Sequence, residues 1–331
     1  MSSGDEHPAG GLTRRKLLAA SAGAAAVVGG VFGTKIFRQP GATVLTMRCG
    51  SYDDDLLDLC RQGIQAFPRV VAAAKGAHVV LKPNLVEVHP GRPINTDPRL
   101  VAAVAAAFLE EGAGRVTVAE GPGHIRDTEA ILELTGLDDL LRPLGVPFVD
   151  LNTDEPIDVP LAANYTGLGK LPIARTIMQA DLVVSMPKLK THHWAGATLS
   201  MKNLFGTVPS AVFGWPKNPL HWAGIPKSIA DLWDSIRPGF AIVDGIVGME
   251  GDGPIMGTPV HHGVLVFGDQ CPAVDATAAR MMRIRADRLT YLTRAVEIGG
   301  TLSSLRITTL GDAVAPRDYA LLDHFDFLRA R

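Results

Sequence analysis

Four lysines stand just beyond short apolar runs, where an enzyme commonly keeps its charged groups. Lys82-Pro83-Asn84 follows the run 77–81, Lys188 and Lys190 follow 181–186, and Lys202-Asn203 lies within Met201-Lys202-Asn203-Leu204-Phe205-Gly206. Ammonium groups gathered in one place repel unless an anion or a carboxylate compensates them. A phosphate or carboxylate ligand would do so, and so would Asp244 and Glu250. Asn203 offers both a donor and an acceptor. A helix start beside glycine also turns free N–H groups toward an anion. Lys82, Asn84, Lys188, Lys202 and Asn203 are therefore the candidate substrate-binding residues, and a small anion is the expected ligand. Solvated surface lysines remain the competing reading of the same residues.

The stretch from Gly245 to Gly257 is glycine-rich and carries Glu250 and Asp252, with Asp244 immediately before it. Glycine permits positive φ and close backbone approach. Carboxylates on such a loop suit a hard cation such as Mg²⁺, so Asp244 and Glu250 are the candidate metal ligands, against a plain surface loop. Two adjacent histidine pairs, 192–193 and 261–262, stand with His124 and His221 as further titratable groups. On a strand, neighbours face opposite ways, so one histidine of each pair would reach a site. The catalytic expectation combines Lys190 to polarise a substrate, Glu250 as base and His192 as proton relay, with charge stabilisation by preplaced groups as the main effect.

Familiar catalytic motifs are missing. There is no G-x-S-x-G elbow, no Walker A loop and no H-E-x-x-H. No G-x-G-x-x-G follows the first strand, so the dinucleotide fingerprint is absent. Cys49, Cys60 and Cys271 are the three cysteines, too few for a four-cysteine iron–sulfur or zinc site. They read either as isolated thiols or as a Cys49–Cys60 disulfide with Cys271 free.

These side chains must be positioned by alternating elements. Apolar strands are expected at 77–81, 115–119, 147–150, 181–186, 240–244 and 264–267. Helices are expected at 97–111, 127–134, 225–236 and 271–284, two of them with proline in the first turn. One or two helical turns are expected within 198–204. Strands apolar throughout have both sheet faces covered. Alternation with helices predicts an α/β, Rossmann-like architecture, with a mostly parallel sheet and helices on both faces. In such a sheet ligands bind beyond the carboxyl ends of the strands, which is where the lysines fall, along with Glu120-Gly121-Pro122-Gly123-His124.

The chain has 331 residues, 47% of them hydrophobic and 20% charged, with 32 basic against 34 acidic side chains. That balance gives no support to nucleic-acid binding. Residues 1–40 read as an address. Thr13-Arg14-Arg15-Lys16-Leu17-Leu18 precedes a weak apolar run to about Phe32, which is the twin-arginine pattern. Its implied partner is the twin-arginine translocase and its implied location is the periplasm or cell envelope. No A-x-A site ends the run, so a membrane tether through the N-terminus stays open. Residues 41–331 read as a single α/β domain.

At Lys82-Pro83-Asn84, at Pro187 to His192 with Met201 to Gly206, and at Asp244 to Gly251 through Gly253-Pro254, the chain resembles the domain of unknown function 362 family. The matching stretches span most of Val80 to Met282. The resemblance implies an exported bacterial protein of that family and names no activity. Some members are similar to fusions with a cluster-binding ferredoxin module, which the cysteine count excludes here. Two functions follow. One is an enzyme acting on a small anionic substrate, with a divalent metal as the cofactor its carboxylates suggest. The other is a non-catalytic ligand- or metal-binding assembly factor for an envelope redox system.

Overall fold

In the computed structural model, the described residues are 41–123, 127–215 and 217–330. The export address at 1–40 and His124 lie outside them. The main sheet contains β1 (Ala42–Arg48), β2 (His78–Pro83), β3 (Arg115–Glu120), β4 (Phe148–Asp150), β7 (Leu182–Met186), β8 (Lys188–His192), β9 (Gly196–Thr198), β10 (Phe240–Glu250), β11 (Thr258–Gly268) and β12 (Ile307–Gly311). A separate hairpin pairs β5 (Pro156–Pro160) with β6 (Lys170–Ala174). The spatial order is β12-β1-β11-β10-β7-β2-β3-β4, with β8 alongside β10 and β9 alongside β8. The pairings from β10 through β7, β2 and β3 to β4 are parallel, whereas β11 runs antiparallel to both its neighbours. The expected α/β, mostly parallel architecture is what forms.

Alternate residues of the central strands feed opposite cores. Val79, Leu81, Leu182, Val184 and Ile242 pack with one cluster, and Val80, Val183, Ala241 and Val243 with the other. This is the period-2 geometry of a strand covered on both faces. The helix Pro98–Glu110 starts where Asp97 caps the Arg99 N–H and proline occupies the first turn, a position that needs no donor. The helices Ile225–Ile236 and Cys271–Met281 also begin with proline in the first turn. Among the described residues no helix is long and apolar enough to cross a membrane.

The chain leaves β2 to build β3 and β4 on one side, and β7 and β10 on the other. The reversal opens a crevice at the carboxyl ends of β2 and β7. Two expectations change there. Residues 188–192, expected just beyond the end of a strand, form a further strand, β8, pairing Lys188 with Asp244 and Lys190 with Met249. The glycines from Gly245 onward do not begin a loop, because β10 runs on to Glu250. Gly248 is there for closeness: a Cβ on it would stand 2.6 Å from the Leu189 carbonyl oxygen and the Tyr319 hydroxyl. Close backbone approach is the other reason for glycine in a strand. The helical turn expected within 198–204 falls later, as a 3₁₀ turn over Lys202–Thr207.

Candidate functional site

At the end of β2 the Lys82 side chain is completely buried. Its Nζ donates to Glu120 Oε2 at 2.6 Å, Asn203 Oδ1 at 3.2 Å and the Pro83 carbonyl at 3.2 Å. Glu120, at the end of β3, also accepts from the backbone N–H groups of Leu85 and Gly121. Asn203 returns its amide to the Lys82 carbonyl and to Ser185 of β7. The pair is thus fully hydrogen-bonded, which a buried ion pair requires. Burial lowers the Lys82 pKa and Glu120 partly restores it.

In front of this pair opens a cavity of about 340 Å³. Among its lining residues are Asn84, Glu120, Lys190, His192, Lys202, Asn203, Lys217 and His221, with Trp194 and Phe205 as the aromatic wall. Lys190 Nζ donates to the carbonyls of Ile94 at 2.6 Å and Pro254 at 3.3 Å. Burial, then the neighbouring Lys188 and Lys202, hold its pKa well below the usual ammonium range. Lys217 has a left-handed backbone, φ 68°, and its Nζ donates to the Gly121 carbonyl at 2.8 Å. Lys202 Nζ lies 4.0 Å from the centroid of the Phe205 ring. Burial brings both Lys202 and Lys217 down to about 7, with Lys82 adding repulsion and Glu120 opposing it.

His192 is buried, and desolvation with the surrounding lysines and histidines keeps it neutral well below its usual range. Its Nδ1 accepts from the backbone N–H of Trp194 at 3.0 Å and of Ala195 at 3.3 Å. The ring's one proton therefore resides on Nε2. His221 donates Nδ1–H to the Lys217 carbonyl and packs edge-on against Trp194 and Phe205. Two polar atoms of the site lack partners among the described residues: Asn84 Oδ1 and Thr198 Oγ1. Buried polar atoms without partners are uncommon in proteins and mark places a ligand can satisfy.

The turn carrying Lys202 is pinned from behind. Asp275, fully buried in the helix Cys271–Met281, accepts from the N–H groups of Ser200 and Met201 at 2.7 and 3.0 Å, and from the Ser200 hydroxyl. Desolvation pushes its carboxyl up to about 7 against the pull of these donors.

The structure brings Asn84, Lys190, His192, Lys202 and Asn203 to one cavity, with Lys82 buried behind its wall against Glu120 and Asn203. It does not bring Lys188, Asp244 or Glu250 there. Lys188 is buried against Asp244 at 2.8 Å and the Tyr52 hydroxyl at 2.6 Å. Asp244 further accepts from the Tyr52 hydroxyl and the Asp97 N–H. Both carboxylate oxygens of Asp244 are thus engaged by protein donors. Glu250 lies at the far end of β10 and accepts from the Ala320 N–H at 2.8 Å. Asp244 and Glu250, expected as metal ligands with Glu250 as base, and Lys188, expected on substrate, thus lie outside the lining of this cavity. Among the described residues no group of three or more His, Cys, Asp or Glu side chains is arranged to hold a metal ion. All three cysteines are buried and free.

Sequence reasoning gave no role to Glu120, Lys217, Trp194 or Asp275. Glu120 carried a signal, since it directly ends an apolar strand. Lys217 carried none: it sits in an aromatic, proline-flanked loop whose path cannot be read from its composition.

A family model described as a domain of unknown function (DUF362) matches residues 79–280. A thylakoid-associated protein of Synechocystis sp. is 30% identical over 218 residues, 63% of this chain and 64% of that protein. The chain thus spans somewhat under two thirds of that relative's length. Among solved structures, the lactate racemase apoprotein from Thermoanaerobacterium thermosaccharolyticum aligns with a TM-score of 0.42 at 17% identity, over 66% of this chain and 54% of that one. A Thermotoga maritima protein aligns with a TM-score of 0.42 at 14% identity, over 73% and 58%.

Proposed function

The chain belongs to the domain of unknown function (DUF362) family, and we propose that the cavity inside the matched stretch is an enzyme site for a small anionic substrate. One observation carries this reading. Lys190, Lys202 and Lys217 line a cavity whose carboxylate, Glu120, is already committed to Lys82. Such a cavity is short of negative charge. Lysines deprived of water and of a carboxylate partner lose their protons more readily, and an anion entering would restore both the protons and the attraction. Substrate binding is assigned to Lys202 and Lys217, with Asn84 and Asn203 shaping the wall. Lys190 and His192 line the same cavity and are assigned to proton transfer, because a positioned lysine or histidine within reach of a bound substrate can act as general acid or base.

The test begins with the natively purified chain and mass spectrometry of the small anions that leave with it. Each is then titrated calorimetrically and assayed for conversion. Binding and turnover that vanish in Lys190→Ala and His192→Ala, with the fold intact by circular dichroism, support the site. Binding with turnover unchanged in both variants removes the catalytic assignment.

The same proposal extends to location. The paired arginines Arg14-Arg15 before a weak apolar run support export through the twin-arginine translocase to the periplasm or envelope. Changing both arginines to lysine should hold the full chain in the cytoplasmic fraction. Export that survives the change rules this route out.

A further inference from the structure

Five lysines approach the carboxyl ends of these strands, and four are tied. Lys82 is held by Glu120, Asn203 and the Pro83 carbonyl, and Lys188 by Asp244 and Tyr52. Lys190 is held by the carbonyls of Ile94 and Pro254, and Lys217 by that of Gly121. Among the described residues only Lys202 of the five has neither a hydrogen bond nor an ion pair. Its Nζ rests on the face of Phe205 at 4.0 Å. An anchored nitrogen cannot swing to a bound carbon without giving up its bonds; this one can.

We propose that Lys202 forms an imine with a small 2-oxo acid bound in the cavity. The claim rests on the anion reading above and adds the reacting group. The carboxylate of such an acid would meet the Lys217 side, while its carbonyl carbon faces Lys202. The amine nitrogen attacks that carbon, forming the C–N bond, and the carbonyl π pair moves to oxygen, which takes a proton. Loss of the nitrogen-borne proton gives a carbinolamine. Expulsion of its protonated hydroxyl as water leaves the C=N bond. One carbonyl and one primary amine give one imine and one water, with no oxidant or reductant.

The cavity holds the accessory groups this needs. His192 carries its proton on Nε2, because Nδ1 is engaged by two backbone N–H groups, so the ring can deliver a proton to the departing hydroxyl. Thr198 Oγ1 and Asn84 Oδ1 are unpartnered and offer a donor to the carbonyl oxygen and an acceptor to the carbinolamine hydroxyl. Burial brings Lys202 down to about 7, so a large fraction of the amine carries a lone pair at neutral pH, as imine-forming lysines require.

The full chain is incubated at pH 7 with a limiting amount of pyruvate and cyanoborohydride, and the labelled lysine is located by peptide mass spectrometry. A carboxyethyl group should accumulate on Lys202 about tenfold or more over the exposed Lys75 and Lys227. Propionate, which has the carboxylate but no carbonyl, should bind in calorimetry and slow labelling of Lys202 alone. Labelling spread evenly over the surface lysines, or centred on Lys190, overturns the proposal. Propionate binding without any Lys202 adduct sinks the imine and leaves the anion site standing. Absence of both binding and adduct removes the two together.

Discussion

Gly206 lies directly against Glu120. A Cβ placed on Gly206 would overlap Glu120 Oε1 and stand 2.8 Å from Lys82 Nζ. The final glycine of Met201-Lys202-Asn203-Leu204-Phe205-Gly206 is thus a point of close approach, where the turn carrying Lys202 presses onto the buried ion pair. Any side chain there must push the carboxylate off the ammonium. Gly206→Ala is expected to lower folding stability by about 3–5 kcal/mol, the usual cost of breaking a buried pair from one side, read from the urea midpoint.

The Lys82–Glu120 pair should behave as a unit. Lys82→Met strands a buried carboxylate, and Glu120→Gln strands a buried ammonium. Each alone should cost about 3–5 kcal/mol. The double variant removes both charges, so it should lose about 1–3 kcal/mol less than the sum of the singles. Denaturant titration of all four chains closes the cycle, and strict additivity would mean the two groups do not depend on each other.

Tyr52 separates architecture from chemistry. Its hydroxyl accepts from Lys188 and donates to Asp244, outside the lining of the cavity. Tyr52→Phe should lower stability by about 1–3 kcal/mol, the cost of leaving buried polar groups a partner short. Anion affinity should stay within about twofold. A large loss of affinity at full stability would bring Lys188 and Asp244 back into the site.

Much of this arrangement was legible because strand ends announce themselves. Apolar runs fully covered on both faces placed β2, β3, β7 and the first half of β10, and the carboxyl-end rule then pointed to Lys82, Lys190 and Lys202. What stayed hidden was pairing between distant segments. Asp244 carries the same side chain whether it faces a cation or Lys188, and only the β8–β10 register decides. Glycines at 245 and 248 read as a turn because composition cannot separate positive φ from crowding; here crowding is the reason. Lys217 reaches the cavity from a loop with no periodic pattern. Asp275 lies 75 residues from the Ser200 N–H it receives.

Asp275 is a positioning residue. Asp275→Ala would leave the buried N–H groups of Ser200 and Met201 unpaired, at about 1–3 kcal/mol each. The turn that aims Lys202 would loosen with them. Stability and anion affinity should fall together, and Asp275→Asn, which keeps an acceptor, should recover part of both. Lost stability with undiminished affinity would confine Asp275 to folding.

Proton linkage gives the most direct measure of the lysine cluster. Lys202 and Lys217 sit at about 7 in the folded chain, against about 10.4 for an ordinary lysine when unfolded. Between these values the unfolded chain holds protons that the folded one has released. Stability therefore rises with pH from about 7 to about 10, and the burial penalty is fully present below 7. An anion selects the protonated lysines, so its affinity should fall as pH climbs past 7. Below that pH, binding moves few protons. At pH 8 each anion bound should draw protons into the cavity, and its calorimetric heat should depend on the ionisation enthalpy of the buffer. Identical heats in two buffers at pH 8 would mean that the anion binds without recharging Lys202 or Lys217, and the electrostatic basis assigned to the site would be wrong.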